Sequence, residues 1–319
     1  MAAEWAQLVY LKDTQVNINS EFSIIKKYLS GIGASYLNTN GINLAGGDDC
    51  ALVSANSKLL ISTDTSVAGV HFLKSMPAES IAYRSVSTAL SDIAAMGGNP
   101  VAFNLSLVMP NFNSDWMKGF RKGLKKISRE FKLPLIGGDL VKGPLQISVT
   151  VLGKPEKKIL LRSNAKPGDI LCLSGALGSG YIGLKEYKRS GELNHKTKPY
   201  LFPSAQIAYG RMIATLASSA IDISDGIIQD LSHLIKGSGV GCNLDLDQIP
   251  VANKQYFKQC LEFGDDYQLL FTISPKKLLV LQAKVNSCKK KCHTIGVMRG
   301  TKLTITNNKG LIKNWDHFQ

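Results

Sequence analysis

Ile81-Ala-Tyr-Arg-Ser-Val-Ser-Thr-Ala-Leu-Ser-Asp-Ile-Ala-Ala-Met-Gly-Gly98 is the stretch that decides how this chain is read. Its apolar residues recur at helical spacing as far as Met96, Pro77 stands at the helix start, and Gly97-Gly98 stops it. Val101 to Val108 follows as a strand ended by Pro110. The alternation continues outward. Upstream, Ser23 to Leu29 reads as an amphipathic helix opened by Asn19, Ser20 and Glu21, and Lys58-Leu-Leu-Ile-Ser62 as a short buried strand. Downstream, Trp116 to Phe131 is a basic amphipathic helix, Leu133-Pro-Leu-Ile136 enters a Gly137-Gly138-Asp139 turn, and Gln146 to Leu152 alternates as a strand.

Composition shifts at Lys154-Pro-Glu-Lys-Lys158, which sets the expected domains at 1–153 and 154–319. The second half offers strands at Ile170 to Ser174, Ser219 to Ile223, Cys242 to Leu246 and Tyr267 to Ile273. Helices are expected at Tyr181 to Tyr187 and Gly226 to Leu234. The expected class is a two-domain α+β/α/β chain.

At 319 residues and 44% hydrophobic, each half can bury its own core, and a disordered or fibrous chain is excluded. No apolar run approaches the ~20 residues of a membrane helix. The Met-Ala-Ala-Glu-Trp start lacks the pattern of a signal peptide, so a cytoplasmic protein is expected. The net charge of +14 invites a polyanionic partner, but its distribution argues otherwise. Residues 1–153 carry 14 basic and 11 acidic side chains, and residues 154–319 carry 24 and 13. No aromatic residue interleaves the Lys289-Lys290-Lys291 cluster, so neither nucleic acid nor membrane is expected as a partner. Cys288-x-x-x-Cys292-His293 is a weak zinc pattern without a second ligand pair.

The acids carry more information. They recur where apolar runs give way to turns: Gly47-Asp48-Asp49, Ser62-Thr63-Asp64, Ser91-Asp92, Gly138-Asp139, Asp222-Ile-Ser224-Asp225-Gly226 and Gly264-Asp265-Asp266. Carboxylates and hydroxyls on such turns are hard oxygen ligands suited to Mg²⁺, which binds one or two carboxylates together with phosphate oxygens. Any single Asp-Gly is equally a turn, and Asp225 equally a helix cap. Gly175-Ala-Leu-Gly178-Ser-Gly180 can offer N–H groups to an anion, or simply let a helix and strand pack closely. The chain contains no P-loop, protein-kinase catalytic loop, H-E-x-x-H or G-x-S-x-G.

Together these stretches resemble the thiamine-monophosphate kinase family, within the ATP-dependent superfamily of aminoimidazole-ribonucleotide synthetase. Leu90-Ser-Asp-Ile-Ala-Ala-Met-Gly-Gly98 and Ile221-Asp-Ile-Ser-Asp-Gly226 are specific in combination. Gly47-Asp-Asp-Cys-Ala51, Ile61-Ser-Thr-Asp-Thr65, Val70-His71-Phe72, Gly137-Gly-Asp139, Gly264-Asp-Asp-Tyr267 and Trp315-Asp-His-Phe318 follow family order. The resemblance implies an N-terminal, mainly antiparallel sheet with helices, a C-terminal α/β domain, and a homodimer formed through the N-terminal sheet. It implies transfer of a phosphoryl group from ATP to thiamine monophosphate, with several Mg²⁺ ions and room for a monovalent cation. By position, Asp49, Ser62, Thr63, Asp64, Asp92, Asp139, Asp222 and Asp225 match metal ligands. Gly138, Asp139, Arg162 and Ser224 match nucleotide contacts, and His71, Asp265 and Trp315 the thiamine site. Asp92, Asp139 and Arg162 are the expected catalytic residues. Asp48 and Asp266 match supporting positions. The chain departs from the family at Gly264-Asp-Asp-Tyr-Gln268, where Glu usually stands at 265, and at Leu140-Val-Lys142, where Thr-Thr-Arg is usual.

Overall fold

The computed structural model describes residues 21–44, 52–53, 58–156 and 158–308. Asp48, Asp49 and Trp315 lie outside the described residues.

A short helix α1 (Glu21–Ile24) continues as one π-helical segment, Ile25–Leu29. Strands β1 (Ile42–Leu44) and β2 (Leu52–Val53) form a small antiparallel pair. Then come β3 (Leu60–Val67), α2 (Ala78–Ala95), β4 (Gly98–Met109), α3 (Ser114–Phe131), β5 (Leu135–Lys142) and β6 (Gln146–Pro155). The four strands make a sheet in the order β3-β6-β4-β5, antiparallel except for the parallel β4–β5 pair. The alternation in β6 does what its sequence predicts. Ile147, Val149 and Val151 are buried toward α2, while Ser148 and Thr150 face away. Burying each of those apolar side chains contributes about 1.5–3 kcal/mol. Helix α3 begins where Asn113 accepts a hydrogen bond from the Trp116 N–H at 2.8 Å, and ends where Lys132 turns left-handed.

The second half runs β7 (Ile170–Leu173), α4 (Ser179–Ser190), α5 (Lys198–Leu201), α6 (Ile207–Ile213), β8 (Ser219–Asp222), α7 (Ile227–Ser238) and β9 (Cys242–Asp245). It finishes with α8 (Phe257–Glu262), β10 (Leu269–Ile273), α9 (Pro275–Ser287), β11 (His293–Met298) and β12 (Leu303–Thr306). Its six strands order as β12-β9-β11-β7-β10-β8, with only β12–β9 parallel. In β7, Leu171 and Leu173 enter one core beside α7, and Cys172 enters the other. That second core is continuous with the first domain, joining Phe103 and Leu107 to Tyr209, Ile213 and Phe271. Helix α2 lies between the domains, with 16 of its 18 residues buried; Glu79 and Asp92 are the exceptions.

Three local expectations change. Lys58–Ser62 is not a buried strand. Strand β3 is the edge of its sheet, and Ile61 is 66% exposed. Gly137-Gly138-Asp139 is not a turn but the middle of β5, where pairing with Asn104, Leu105 and Ser106 extends the backbone. Tyr267 precedes its strand, in a left-handed loop.

Candidate active site

The sequence expects acids from separate elements to converge, and α2 is where several of them meet. Asp92, near its C-terminal end, accepts a hydrogen bond from the Ser62 hydroxyl on β3. One turn earlier, the Thr88 hydroxyl donates to Asp64 Oδ2 at 2.6 Å. The buried Ser91 hydroxyl lies beside Asp222, the last residue of β8. Arg84, Thr88, Ser91 and Asp92 follow i, i+4, i+7, i+8 spacing and share one face of the helix.

The carboxylates feel one another. Burial, then the neighbouring Asp64, raises the Asp92 carboxyl above its ordinary range. Burial, then Asp92, pushes Asp222 up to about 6. The exposed Arg162 opposes both shifts, so its positive charge lies within electrostatic reach of both carboxylates. Asp64, Asp92, Asp222 and Arg162 therefore form one electrostatic cluster drawn from both domains.

Ser224 and Asp225 stand exposed on the next loop. Their N–H groups donate to Asp230 Oδ2 at 3.1 and 3.2 Å. Asp225 is not a helix cap: its Oδ2 accepts from Gln229 Nε2 at 3.1 Å, and Gly226 occupies the cap position of α7. Asp230 is a residue that the sequence reading missed. Burial pushes it up to about 7, and its position in the first turn after Ser224-Asp225-Gly226 was the available signal.

Two expected ligands stand elsewhere. Thr63 and Asp139 lie on the face of the first sheet that points away from α2, Thr63 paired with Thr150 at 2.8 Å and Asp139 beside Ser106. Gly138 lies in the row between them, with Leu105 as its β4 partner. His71 is exposed in the turn after β3, its Nδ1 accepting from the Val67 N–H at 3.1 Å. Asp265 Oδ1 accepts from the buried Arg84 guanidinium. The Gly175–Gly180 anion reading is overturned, because Asp266 already accepts from Gly178 N at 2.6 Å and Gly180 N at 3.2 Å. An internal carboxylate fills the place expected for a phosphate.

Among the described residues, no three His, Cys, Asp or Glu side chains close around a single point, so Cys288, Cys292 and His293 form no zinc site. Carboxylates raised by burial first and by one another second, flanked by hydroxyls and one arginine, fit hard divalent ions that take one or two protein oxygens each.

The chain matches the family model for AIR synthase related protein, N-terminal domain, over residues 25–154, and the corresponding C-terminal domain over 166–303. It is 39% identical to the thiamine-monophosphate kinase of Buchnera aphidicola subsp. Schizaphis graminum, across 94% of this chain and 99% of that one. The chain belongs to the thiamine-monophosphate kinase family. The family's Stenotrophomonas maltophilia K279a crystal structure superposes with a TM-score of 0.79 at 30% identity, covering 86% of this chain and 94% of that one. Another solved structure, AaThiL complexed with AMPPCP and TMP, gives a TM-score of 0.73 at 28% identity, covering 97% and 100%. The two-domain AIR synthase-like fold expected from the resemblance is thereby established. No helix among the described residues is long and apolar enough to cross a membrane.

Proposed function

We infer that this protein transfers the terminal phosphoryl group of ATP to the phosphate of thiamine monophosphate, yielding thiamine diphosphate. One observation carries the reading: the full-length identity to a thiamine-monophosphate kinase, 39% over 94% of the chain. The interdomain cluster of Asp64, Asp92, Asp222 and Arg162 supports it chemically.

The acceptor is a phosphate oxygen with a second pKa of ~6, largely deprotonated at neutral pH. No general base is required. The difficulty is holding two polyanions in line. Asp64, Asp92, Asp222 and Asp225, with Ser62 and the undescribed Asp49, would hold Mg²⁺ ions. Bound there, those ions would neutralise charge on the two phosphates. Arg162 stabilises charge on the transferring group and, with Ser224, contacts the nucleotide. His71 and Trp315 line the thiamine end, whereas the Asp265 carboxylate is engaged by Arg84.

Thr63 and Asp139 stand on the open face of the first sheet, with Gly138 in the backbone row between them. That face also carries Ile61 at 66% and Val141 at 45% exposure, beside Thr65, Ser148 and Thr150. A second copy covering it makes the homodimer and sets Asp139 at the dimer seam.

The deciding assay supplies ATP and Mg²⁺ with thiamine monophosphate or with free thiamine. Diphosphate is expected from the monophosphate alone. No turnover at saturating Mg²⁺ ends the kinase reading.

A further inference from the structure

Arg84 sits at the centre of α2, 5% exposed, with its partners in the other domain. Nη1 donates to the Tyr200 carbonyl at 2.6 Å and Nη2 to Asp265 Oδ1. The guanidinium also lies 4.7 Å from the centre of the Tyr200 ring. Asp265 occupies a left-handed conformation at φ +60°, between Gly264 at +72° and Tyr267 at +53° two residues on. Non-glycine residues hold such angles only where the surroundings enforce them. Here the Asp265 N–H donates to the Ser224 carbonyl at 2.9 Å, and the Tyr267 N–H to the Ile223 carbonyl at 2.8 Å. The loop is therefore fastened to the segment that carries Asp222, Ser224 and Asp225. At its other end, the same helix that carries Arg84 carries Thr88, Ser91 and Asp92.

Stability is a poor explanation for this pair. A buried ion pair rarely outperforms apolar residues of similar volume. This one also leaves Asp265 Oδ2 buried with no well-formed hydrogen bond, only the Tyr267 phenol nearby, which adds a desolvation cost. What the pair does supply is registry between the two domains.

We propose that Arg84 and Asp265 are positioning residues: their ion pair fixes the spacing between the acids held on α2 and β3 and those at the end of β8 and just after it. The proposal rests on the kinase reading, and it assigns the pair to capture of the metal–nucleotide complex and to transfer rate. Thiamine recognition is not its role.

The test compares Asp265→Asn and the double variant Arg84→Met/Asp265→Leu with the parent protein. Thermal melting, kcat, KM for thiamine monophosphate, and calorimetric binding of Mn²⁺ with AMPPCP are measured on each. Both variants are expected to fold, with kcat lowered about ten- to a hundredfold, as ångström-scale misplacement produces. Mn²⁺–AMPPCP binding weakens in parallel, while KM for thiamine monophosphate stays within about twofold. A rise in that KM alone makes Asp265 a substrate contact and overturns the proposal. So does a lowered melting temperature with unchanged kcat and metal binding, which makes the pair structural. Asp265→Asn is nearly isosteric and decides the matter if the double variant does not fold. If the parent protein binds Mn²⁺–AMPPCP but does not phosphorylate thiamine monophosphate, the kinase reading fails, and the binding comparison still judges the pair.

Discussion

Thr88 donates its hydroxyl hydrogen to Asp64 Oδ2 across 2.6 Å, from a position that is only 7% exposed. Water has little room to replace that donor, so the bond sets the direction of the Asp64 carboxylate before any ion or phosphate arrives. Thr88→Val keeps the shape and removes the donor. A hydrogen bond to a charged group is worth about 1.5–3 kcal/mol, so kcat should fall about tenfold or more. Thr88→Ser should remain close to the parent protein. Equal losses in both variants would assign the effect to packing.

Asp92 has a different role, as one of two α2 residues not fully buried and the meeting point of Ser62, Asp64 and Arg162. Asp92→Ala and Asp92→Asn should abolish turnover. The melting temperature should hold or rise, because a carboxylate raised by burial and by Asp64 has been removed. Near-normal activity in either variant removes Asp92 from the site.

The same repulsion gives a pH signature. Asp222 moves from 3.8 to about 6 on folding, through burial and then Asp92. The native state thus binds this proton more tightly than the unfolded chain. Without divalent ions, stability should be greatest below about pH 4 as far as Asp222 is concerned, and fall as pH rises through about 6, by about 3 kcal/mol. Mg²⁺ with AMPPCP compensates the ionised form, so it should raise the melting temperature more at pH 8 than at pH 5. Melts in EDTA and in Mg²⁺–AMPPCP at both pH values check this, with Asp222→Asn as the variant that should flatten the difference. Identical shifts at the two pH values would refute it.

Gly138 has φ +151°, and a Cβ there would stand 1.8 Å from the Leu105 carbonyl oxygen. Backbone cannot yield as a flexible side chain can. Gly138→Ala should destabilise the fold by more than about 4 kcal/mol, within the rare class of severe effects. Chemical denaturation measures it. An alanine variant of parental stability would show that β4 and β5 can separate at this point.

The fold was legible where one physical signal dominated. The apolar spacing of Ile81 to Met96 and its glycine stop became α2, and the alternation of Gln146 to Leu152 became the half-buried β6. Gly137–Asp139 misled because two glycines before an aspartate carry a turn signature, whereas the parallel partner β4 imposes an extended path. In the site, the acids announced themselves at the ends of apolar runs. Of their hydroxyl partners, Ser62 was visible beside Asp64, whereas Thr88 was not. Thr88 and Ser91 are ordinary helix residues until β3 and β8 are brought against them. Arg84 could have been suspected, as a lone charge among uncharged residues from Ile81 to Leu90. Its partner, 181 positions away, could not be identified without the fold.

Helix α2 has one further consequence. Family models divide the chain after residue 154, yet this helix of the first half is walled in by residues of the second. The Ser87 hydroxyl reaches the Pro203 carbonyl at 2.7 Å, and Gly210 approaches so closely that a Cβ would lie 2.0 Å from the Ala94 carbonyl oxygen. Two units in the primary structure are thus one object to solvent. A gene severed at the linker should yield two polypeptides that precipitate when made apart, each with a raw apolar flank. Synthesised in the same cell, they should find one another and restore the enzyme by complementation.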